Sequence, residues 1–142
     1  MATFDSSQPD FMEILHKRGR GALGEKMDIR ILEASPERMV GTMPVEGNTQ
    51  PIGLLHGGAS LVLAETLGSV ATQLHAGVHR RIVGIEINGT HHKSATSGLV
   101  TGVATAITLG KTLCCHEVVI TNEAGERICT ARITNLILAE RT

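Results

Sequence analysis

Aromatic residues are scarce in this sequence of 142 residues, and neither sign of charge is in clear excess. There is no Trp and no Tyr, and Phe occurs only twice, at Phe4 and Phe11. This excludes a protein that stacks nucleobases on aromatic platforms. Lys and Arg together number 13, against 14 for Asp and Glu. Because nucleic-acid binders usually carry a basic excess, we expect no nucleic-acid partner.

Long hydrophobic runs are also missing. No apolar run approaches the ~20 residues that a membrane helix needs, so no membrane partner is expected. The first residues include Asp5 and Asp10 and contain no apolar signal core. We therefore expect a cytoplasmic protein.

Cysteine is rare as well, with three residues in the chain. Cys114 and Cys115 are adjacent, and Cys129 stands apart from them. Neighbouring side chains of a strand point to opposite faces, so the first two cannot easily share a disulfide or a metal. We expect all three to be small apolar residues in a reducing compartment.

The composition that is present, 42% hydrophobic and 19% charged, favours a single folded domain over residues 1–142. Apolar spacing predicts a short helix at Asp10–Lys17, and the glycine-rich segment Gly19–Gly24 reads as a flexible connector. Residues 1–25 are therefore expected to form an N-terminal helix and connector. Two strands are predicted next, at Met27–Glu33 and Arg38–Val45.

The segment Ala59–His75 lacks proline, is apolar on nearly all sides and is followed by Gly77, which predicts a long helix inside the protein. Four strands are predicted after it, at Arg81–His91, Gly98–Leu109, Leu113–Asn122 and Arg127–Leu138. Two strands, one helix and four strands indicate an α+β fold in which a curved antiparallel sheet wraps around one long central helix. A doubly wound parallel sheet would need helices between the strands.

Two patterns in the sequence suggest a nucleotide site and a metal site, but the residues around them do not support either. Gly19, Gly21 and Gly24 match G-x-G-x-x-G, but a nucleotide site needs a strand before these glycines and a helix after them. Among the seven histidines, Gly77 separates His75 from His79. His91 and His92 are adjacent on a predicted strand, so their side chains point apart. No Cys-x-x-Cys or His-Glu-x-x-His spacing is present, so no metal site is predicted.

The entry to the predicted helix is His56-Gly57-Gly58-Ala59, and two interpretations of this entry are equally good. The first turn of a helix leaves N–H groups without partners at the positive end of the helix dipole. Two glycines would let a substrate carbonyl approach these donors while negative charge grows on its oxygen. Alternatively, Ser60 caps the helix and the glycines only permit the turn.

Glu65 is the one Asp, Glu, Lys or Arg in this apolar helix, and it lies on a polar stripe. Ser69 and Gln73 follow at intervals of four residues, so the three side chains share one face. The stripe predicts a lined cleft, with Ser69 and Gln73 as candidate substrate contacts. The alternative is that Glu65 faces a solvent groove.

The spacing along the helix constrains any shared site. Gly57 and Glu65 are separated by about 12 Å along a helix axis, too far for both to act on one carbonyl within a single chain. Two antiparallel helices related by a two-fold axis would bring Gly57 of one subunit to Glu65 of the other. This predicts an obligate homodimer with two shared sites.

The run Gln50-Pro-x-Gly-x-x-His56-Gly57-Gly58, with Glu65 and Gly68-Ser69 after it, resembles the hotdog-fold acyl-CoA thioesterases of the phenylacetate and 4-hydroxybenzoyl-CoA type. The resemblance extends from about Met27 to Leu138. It implies a hotdog fold, hydrolysis of an acyl-CoA with an aromatic or similar small acyl group, and no cofactor beyond the coenzyme A of the substrate. It also implies acyl-CoA as the partner, with the carrier-protein thioester as an alternative, and a homotetramer of dimers.

The resemblance assigns a role to each residue of the motif. Glu65 would be the nucleophile or the general base, and the Gly57 N–H would polarise the thioester carbonyl. His56 would bind that carbonyl or the departing thiolate, and Gln50 would orient substrate or water. Ser69 would contact the acyl group. A carboxylate and an oxyanion donor suffice chemically because thiolate is a good leaving group.

Binding of coenzyme A is also implied by the resemblance. Gly84 would let the pantetheine arm run along a strand. Lys93 stands where relatives often have Arg, so charge pairing with phosphate is expected but bidentate binding is in doubt. The stretches that would contact the coenzyme are His91, His92, Lys93 and Ser94, and Thr108, Leu109, Gly110, Lys111, Thr112 and Leu113.

Two other functions fit the same fold. Dehydratases act on the acyl chain rather than on the thioester, usually with a differently arranged His and acid. A non-catalytic module would bind acyl-CoA without hydrolysing it. The combination of Glu65 with Gln50 and His56 favours the hydrolase.

Overall fold

The computed structural model describes residues 20–140, so the helix predicted at Asp10–Lys17 lies outside the described residues. From Arg30 onward the predicted order of two strands, one long helix and four strands is confirmed, and the boundaries of these elements fall within a few residues of their expected places. The helices are α1 (Gly21–Lys26) and α2 (Gly57–Ala76). The strands are β1 (Arg30–Ala34), β2 (Arg38–Pro44), β3 (Ile82–His91), β4 (Leu99–Leu109), β5 (Leu113–Thr121) and β6 (Arg127–Ile137).

The six strands form one antiparallel sheet in the order β1-β2-β4-β5-β6-β3. Consecutive hairpins join β4, β5 and β6, as their short turns predict. The first strand after the long helix, β3, instead crosses to the far edge and pairs with β6 alone. The chain order therefore does not reveal that β3 is an edge strand.

The helix α2 packs on one face of the sheet, and its buried residues include Leu63, Ala64, Leu67 and Ala71. Close contact is possible because glycines face it from the sheet. A Cβ at Gly41 or at Gly102, which are paired across β2 and β4, would lie 2.7 or 2.8 Å from a methyl group of Leu67. Leu67 therefore fills a hollow that the two glycines leave open.

Close packing against β6 explains why a glycine, Gly68, lies in the middle of α2. A Cβ at this position would lie 2.2 Å from Cγ2 of Ile133 in β6. Helix and sheet are therefore closer here than any side chain allows, and packing outweighs the low helix propensity of glycine. No helix among residues 20–140 is both long and apolar enough to cross a membrane.

The flexible connector expected at Gly19–Gly24 is wrong, because Gly21–Lys26 forms the short helix α1. Tertiary contacts outweigh the low helix propensity of the glycines. Gly24 is buried, and the Asn48 side chain donates to the carbonyl of Met27 (2.9 Å) just after the helix. Asp28 follows with a positive φ of 53°. The guanidinium of Arg20 beside Asp28 holds the pKa of that carboxyl below its usual range.

The three cysteines are free thiols, as expected. Cys114 and Cys129 are buried, and burial raises the pKa of both thiols. Cys114 and Cys129 therefore pack as small apolar residues of the interior.

Candidate active site

The N-terminus of α2 is capped by His56, whose Nδ1 accepts the N–H of Gly58 at 2.8 Å. The helix begins at Gly57, two residues earlier than expected, and the alternative that Ser60 is the cap is wrong. An imidazole nitrogen that accepts a hydrogen bond carries no proton. The other nitrogen of a neutral His56 is then Nε2–H, a donor at an exposed position.

The backbone N–H of Gly57 has no acceptor among residues 20–140. The imidazole of His91, the last residue of β3, lies against the same glycine, and a Cβ at Gly57 would be 2.7 Å from its Nε2. A side chain at residue 57 would therefore displace the His91 ring from this position. An unpaired donor at the positive end of a helix suits a carbonyl oxygen that gains charge.

A cleft of about 330 Å³ opens beside Gly57. Gln50 lines it, and its side-chain oxygen also accepts the backbone N–H of Ile52 at 2.5 Å, which fixes the loop before the helix. The structure thus brings together the predicted Gln50 and Gly57 with one predicted coenzyme stretch, His91, His92, Lys93 and Ser94.

Glu65 lies two turns along α2 from this cleft and is exposed in the single chain. Its carboxylate rests over Gly84 of the edge strand β3, where a Cβ would be 2.7 Å from Oε1. Next to Gly84 the strand has a bulge before Glu86. The glycine predicted to admit a pantetheine arm therefore makes room for the Glu65 carboxylate.

The remaining members of the polar stripe differ in what they contact. The Ser69 hydroxyl donates to Oδ1 of Asn135 in β6 at 3.0 Å. The amide nitrogen of Gln73 donates to the carbonyls of Gly77 (2.7 Å) and Arg80 (2.8 Å), so it fixes the loop after α2. A substrate contact for Gln73 stays a prediction.

Asn135 is a residue that the sequence analysis missed. It is fully buried, faces Ser69 and lies beside the space over Gly84. The signal that could have found it is an amide inside the otherwise apolar alternation of β6, between the buried Ile133 and Ile137.

The predicted coenzyme stretch at His91–Ser94 is already engaged in contacts within the chain. Lys93 forms an ion pair with Glu126, and this ammonium holds the pKa of the Glu126 carboxyl below its usual range. His92 Nε2 is 2.9 Å from the hydroxyl of Thr130. A phosphate would therefore compete with Glu126 for Lys93.

The second predicted coenzyme stretch, Thr108–Leu113, forms the β4–β5 hairpin at the other end of α2. There His75, in the last helical turn, lies 2.8 Å through Nε2 from the carbonyl of Gly110. A helix of this length spans about 30 Å. Within one chain the two stretches are therefore not brought together. Among residues 20–140, no three His, Cys, Asp or Glu side chains cluster as metal ligands would.

The fold and this site define a class. A family model described as "Thioesterase superfamily" matches residues 52–129, which include the start of α2, Glu65 and the strands β3 to β5. The chain belongs to this superfamily, has the hotdog fold and is a thioester hydrolase.

Individual members of the superfamily are similar to this chain over most of its length. The chain is 41% identical over 128 residues to the proofreading thioesterase EntH of Cronobacter turicensis, covering 89% of this chain and 93% of that protein. It is also 41% identical to the 1,4-dihydroxy-2-naphthoyl-CoA hydrolase of Escherichia coli, covering 89% and 94%. The crystal structure of a mutant thioesterase PA1618 from Pseudomonas aeruginosa superposes with a TM-score of 0.85 at 37% identity, covering 94% and 96%.

Proposed function

We propose that the protein hydrolyses acyl-CoA thioesters with an aromatic or similar small acyl group, at sites that two subunits share. The observation that carries the proposal is the N–H of Gly57, which has no acceptor in the described part of the chain and lies beside a cleft, two turns away from an exposed Glu65 on the same helix. The names of two relatives, a 1,4-dihydroxy-2-naphthoyl-CoA hydrolase and a proofreading thioesterase, support the substrate class.

The chemistry uses one backbone donor and one carboxylate. The Gly57 N–H donates to the thioester oxygen as negative charge develops there. Glu65 of the partner chain either removes a proton from water, which then attacks the carbonyl carbon, or attacks that carbon itself. The tetrahedral intermediate expels coenzyme A thiolate, which takes up a proton. If Glu65 attacks, water then cleaves the acyl-enzyme and releases the free acid.

Two further groups complete the proposed site. His56 is held by its own cap hydrogen bond through Nδ1, so its Nε2–H would donate to the thioester oxygen or to the departing sulfur. Gln50 would orient substrate or water from the loop side of the cleft. No metal and no cofactor takes part in the proposed reaction.

The edge strand β3 supports the shared site. It is exposed along most of its length, and Val83 and Ile85 are 41% and 54% exposed. Such an edge with apolar side chains is uncommon unless another strand covers it. Pairing of two β3 strands about a two-fold axis would set the α2 helices antiparallel and bring Gly57 of one subunit toward Glu65 of the other. Association of two such dimers into a homotetramer belongs to the same proposal.

The same arrangement supports the coenzyme site. In one chain, His91–Ser94 and the Thr108–Leu113 hairpin lie at opposite ends of α2. Antiparallel helices would place the hairpin of one subunit near the cleft of the other. Lys93 and Lys111 would then receive phosphates of coenzyme A from two chains.

The substrate class is tested with a panel of benzoyl-CoA, hydroxybenzoyl-CoA, phenylacetyl-CoA and short aliphatic acyl-CoA compounds. Free thiol is followed with a chromogenic reagent. We expect thiol release that is faster for aryl than for short aliphatic groups. No release from any of these compounds would overturn the proposed substrate class, and a preference for aliphatic groups would overturn its aromatic part.

The shared site is tested by mixing two inactive chains. We expect Glu65→Gln and Gly57→Val homodimers to be inactive, because the first lacks the carboxylate and the second blocks the backbone donor. A mixed dimer would contain one site with both groups intact and one site with neither, so mixed dimers should have about half of the active sites of the parent. The two chains are co-expressed with different affinity tags, and dimers carrying both tags are assayed. Inactive mixed dimers would place each site within one chain.

A further inference from the structure

The side chain of Asn135 in β6 is fully buried, and its two polar atoms differ in their contacts. Oδ1 accepts the Ser69 hydroxyl at 3.0 Å, whereas Nδ2 has no partner among residues 20–140. A buried donor without an acceptor destabilises a fold, and an apolar side chain of similar shape would avoid this. Stability alone therefore does not account for an amide at this position.

The Ser69 hydroxyl behaves differently from its neighbours on α2. Thr66 and Thr72 donate to the carbonyl one turn earlier, at 2.7 and 2.9 Å, which is the usual choice of a hydroxyl inside a helix. Ser69 donates across to the sheet instead. Since a hydroxyl has one donor hydrogen, the contact with Asn135 leaves Ser69 only lone pairs for any other partner.

This pair lies at the predicted site. Glu65 Oε1 and Asn135 Oδ1 are 2.7 and 3.6 Å from one point, the position that a Cβ at Gly84 would occupy. Ser69 is half-buried one turn beyond Glu65. Ser69 is therefore within reach of an acyl group whose carbonyl carbon lies at Glu65.

We propose that Asn135 is a positioning residue that fixes the Ser69 hydroxyl as a hydrogen-bond acceptor toward the acyl group. It thereby favours acyl groups that carry a hydroxyl donor over those that do not. Asn135 acts through Ser69 and does not itself touch the reacting atoms. The inference rests on the proposed acyl-CoA hydrolysis and deepens it.

The test compares matched substrates in matched variants. Benzoyl-CoA and its 2-, 3- and 4-hydroxy analogues are assayed, and the preference is the kcat/KM of the best hydroxy analogue divided by that of benzoyl-CoA. Asn135→Leu removes the acceptor at similar volume, and Asn135→Val does so with a smaller side chain if the first variant does not fold. Asn135→Asp keeps an acceptor oxygen and serves as the conservative control. Ser69→Ala supplies the background for a double-mutant cycle.

We expect the parent to prefer one hydroxy analogue, and Asn135→Leu to reduce this preference roughly three- to tenfold, as loss of one neutral hydrogen bond predicts. Asn135→Asp should retain the preference. In the Ser69→Ala background, adding Asn135→Leu should change the preference less than twofold. The melting temperature of Asn135→Leu should equal or exceed that of the parent, because a buried unpaired donor is removed.

Three results would overturn the inference. The parent could show no preference for a hydroxy analogue, or Asn135→Leu could leave the preference unchanged. The preference could also fall equally with and without Ser69, which would show that Asn135 does not act through it. Loss of thiol release from every substrate in the parent is a separate outcome, since it overturns the proposed function together with this inference.

Discussion

The helix α2 carries two functional regions that are built from different parts of the chain. At its N-terminus the groups are backbone donors around Gly57, with the imidazole of His91 packed against them. From the third turn onward they are side chains, Glu65 over Gly84 and Ser69 against Asn135. Both regions depend on glycines that let a strand or a ring approach the helix closely.

The two regions respond differently to amino-acid substitution. A side-chain group is removed by substitution of one residue, and the loss is direct. A backbone donor remains after any substitution other than proline, so it is blocked or displaced rather than removed. Substitutions in the two regions therefore probe the same reaction by different physical means.

The largest expected effect comes from the side-chain region. Glu65→Gln keeps the size of the side chain but removes the base or nucleophile, so kcat/KM for thiol release should fall at least ~100-fold. Glu117→Gln, which changes an exposed carboxylate of β5, is the matched control and should stay within twofold. Equal rates for parent and Glu65→Gln would remove Glu65 from the mechanism.

A smaller loss is expected where the backbone region is crowded. A Cβ in Gly57→Ala would lie 2.7 Å from His91 Nε2, so the ring or the helix start must shift. Displacement of a catalytic donor should lower kcat/KM roughly 10- to 100-fold. His91→Ala in the same chain removes the clash, and the double variant should be more active than the Gly57→Ala and His91→Ala losses predict by addition. Additive losses would contradict the steric explanation.

Between the two regions, Gly68 sets how closely α2 approaches the sheet. Gly68→Ala should lower the free energy of unfolding by about 1 to 3 kcal/mol, because the new methyl group meets Ile133. Helix propensity alone predicts the opposite sign, a gain of up to about 1 kcal/mol. Urea unfolding of the parent and of Gly68→Ala decides between the two expectations. A stabilised variant would show that the packing around Ile133 relaxes without strain.

The smallest effect concerns pH and lies outside both regions. His116 of β5 is buried, with Nε2–H donating to the carbonyl of Pro36 at 2.8 Å. Burial lowers the pKa of His116 from its ordinary value of 6.5. Below pH 6.5 the folded protein then binds fewer protons at His116 than the unfolded chain does. The contribution of the neutral His116 to the free energy of unfolding is therefore fully present above pH 6.5 and is lost as the pH falls below that value.

His116→Gln keeps a donor toward Pro36 but does not titrate. Its unfolding free energy should therefore change less between pH 7 and pH 5 than that of the parent, as measured by urea unfolding at each pH. An identical pH dependence in the two proteins would show that His116 does not titrate differently on folding.

Much of this architecture could be predicted because periodicity and turns are local properties. The apolar run around Glu65, the alternation of four later strands and the hairpin turns place nearly every element. The same locality explains the error at Gly21–Lys26, where glycine content suggested a connector. Gly24 is buried, and Asn48 donates to the carbonyl of Met27 from 21 residues away, a contact that no local pattern contains.

The candidate site divides in the same way. The i, i+4 spacing of Glu65 and Ser69 and the glycines at the helix start could be read directly. Asn135 could not be connected with Ser69, because the two are 66 residues apart and meet only through the packing of α2 on β6. His91 was expected to contact coenzyme A, and its packing against Gly57 follows only from the course of the edge strand.

From the sequence alone, the long helix and the chain order of the six strands could be predicted, as could the lone carboxylate of that helix and its separation from Gly57, since these depend on residues near one another in the chain. Only the tertiary structure shows that β3 lies beside β6 at the sheet edge and that Gly84 and Asn135 face the polar stripe. The physical reason is that strand order and helix-to-sheet distance result from burial summed over the whole domain.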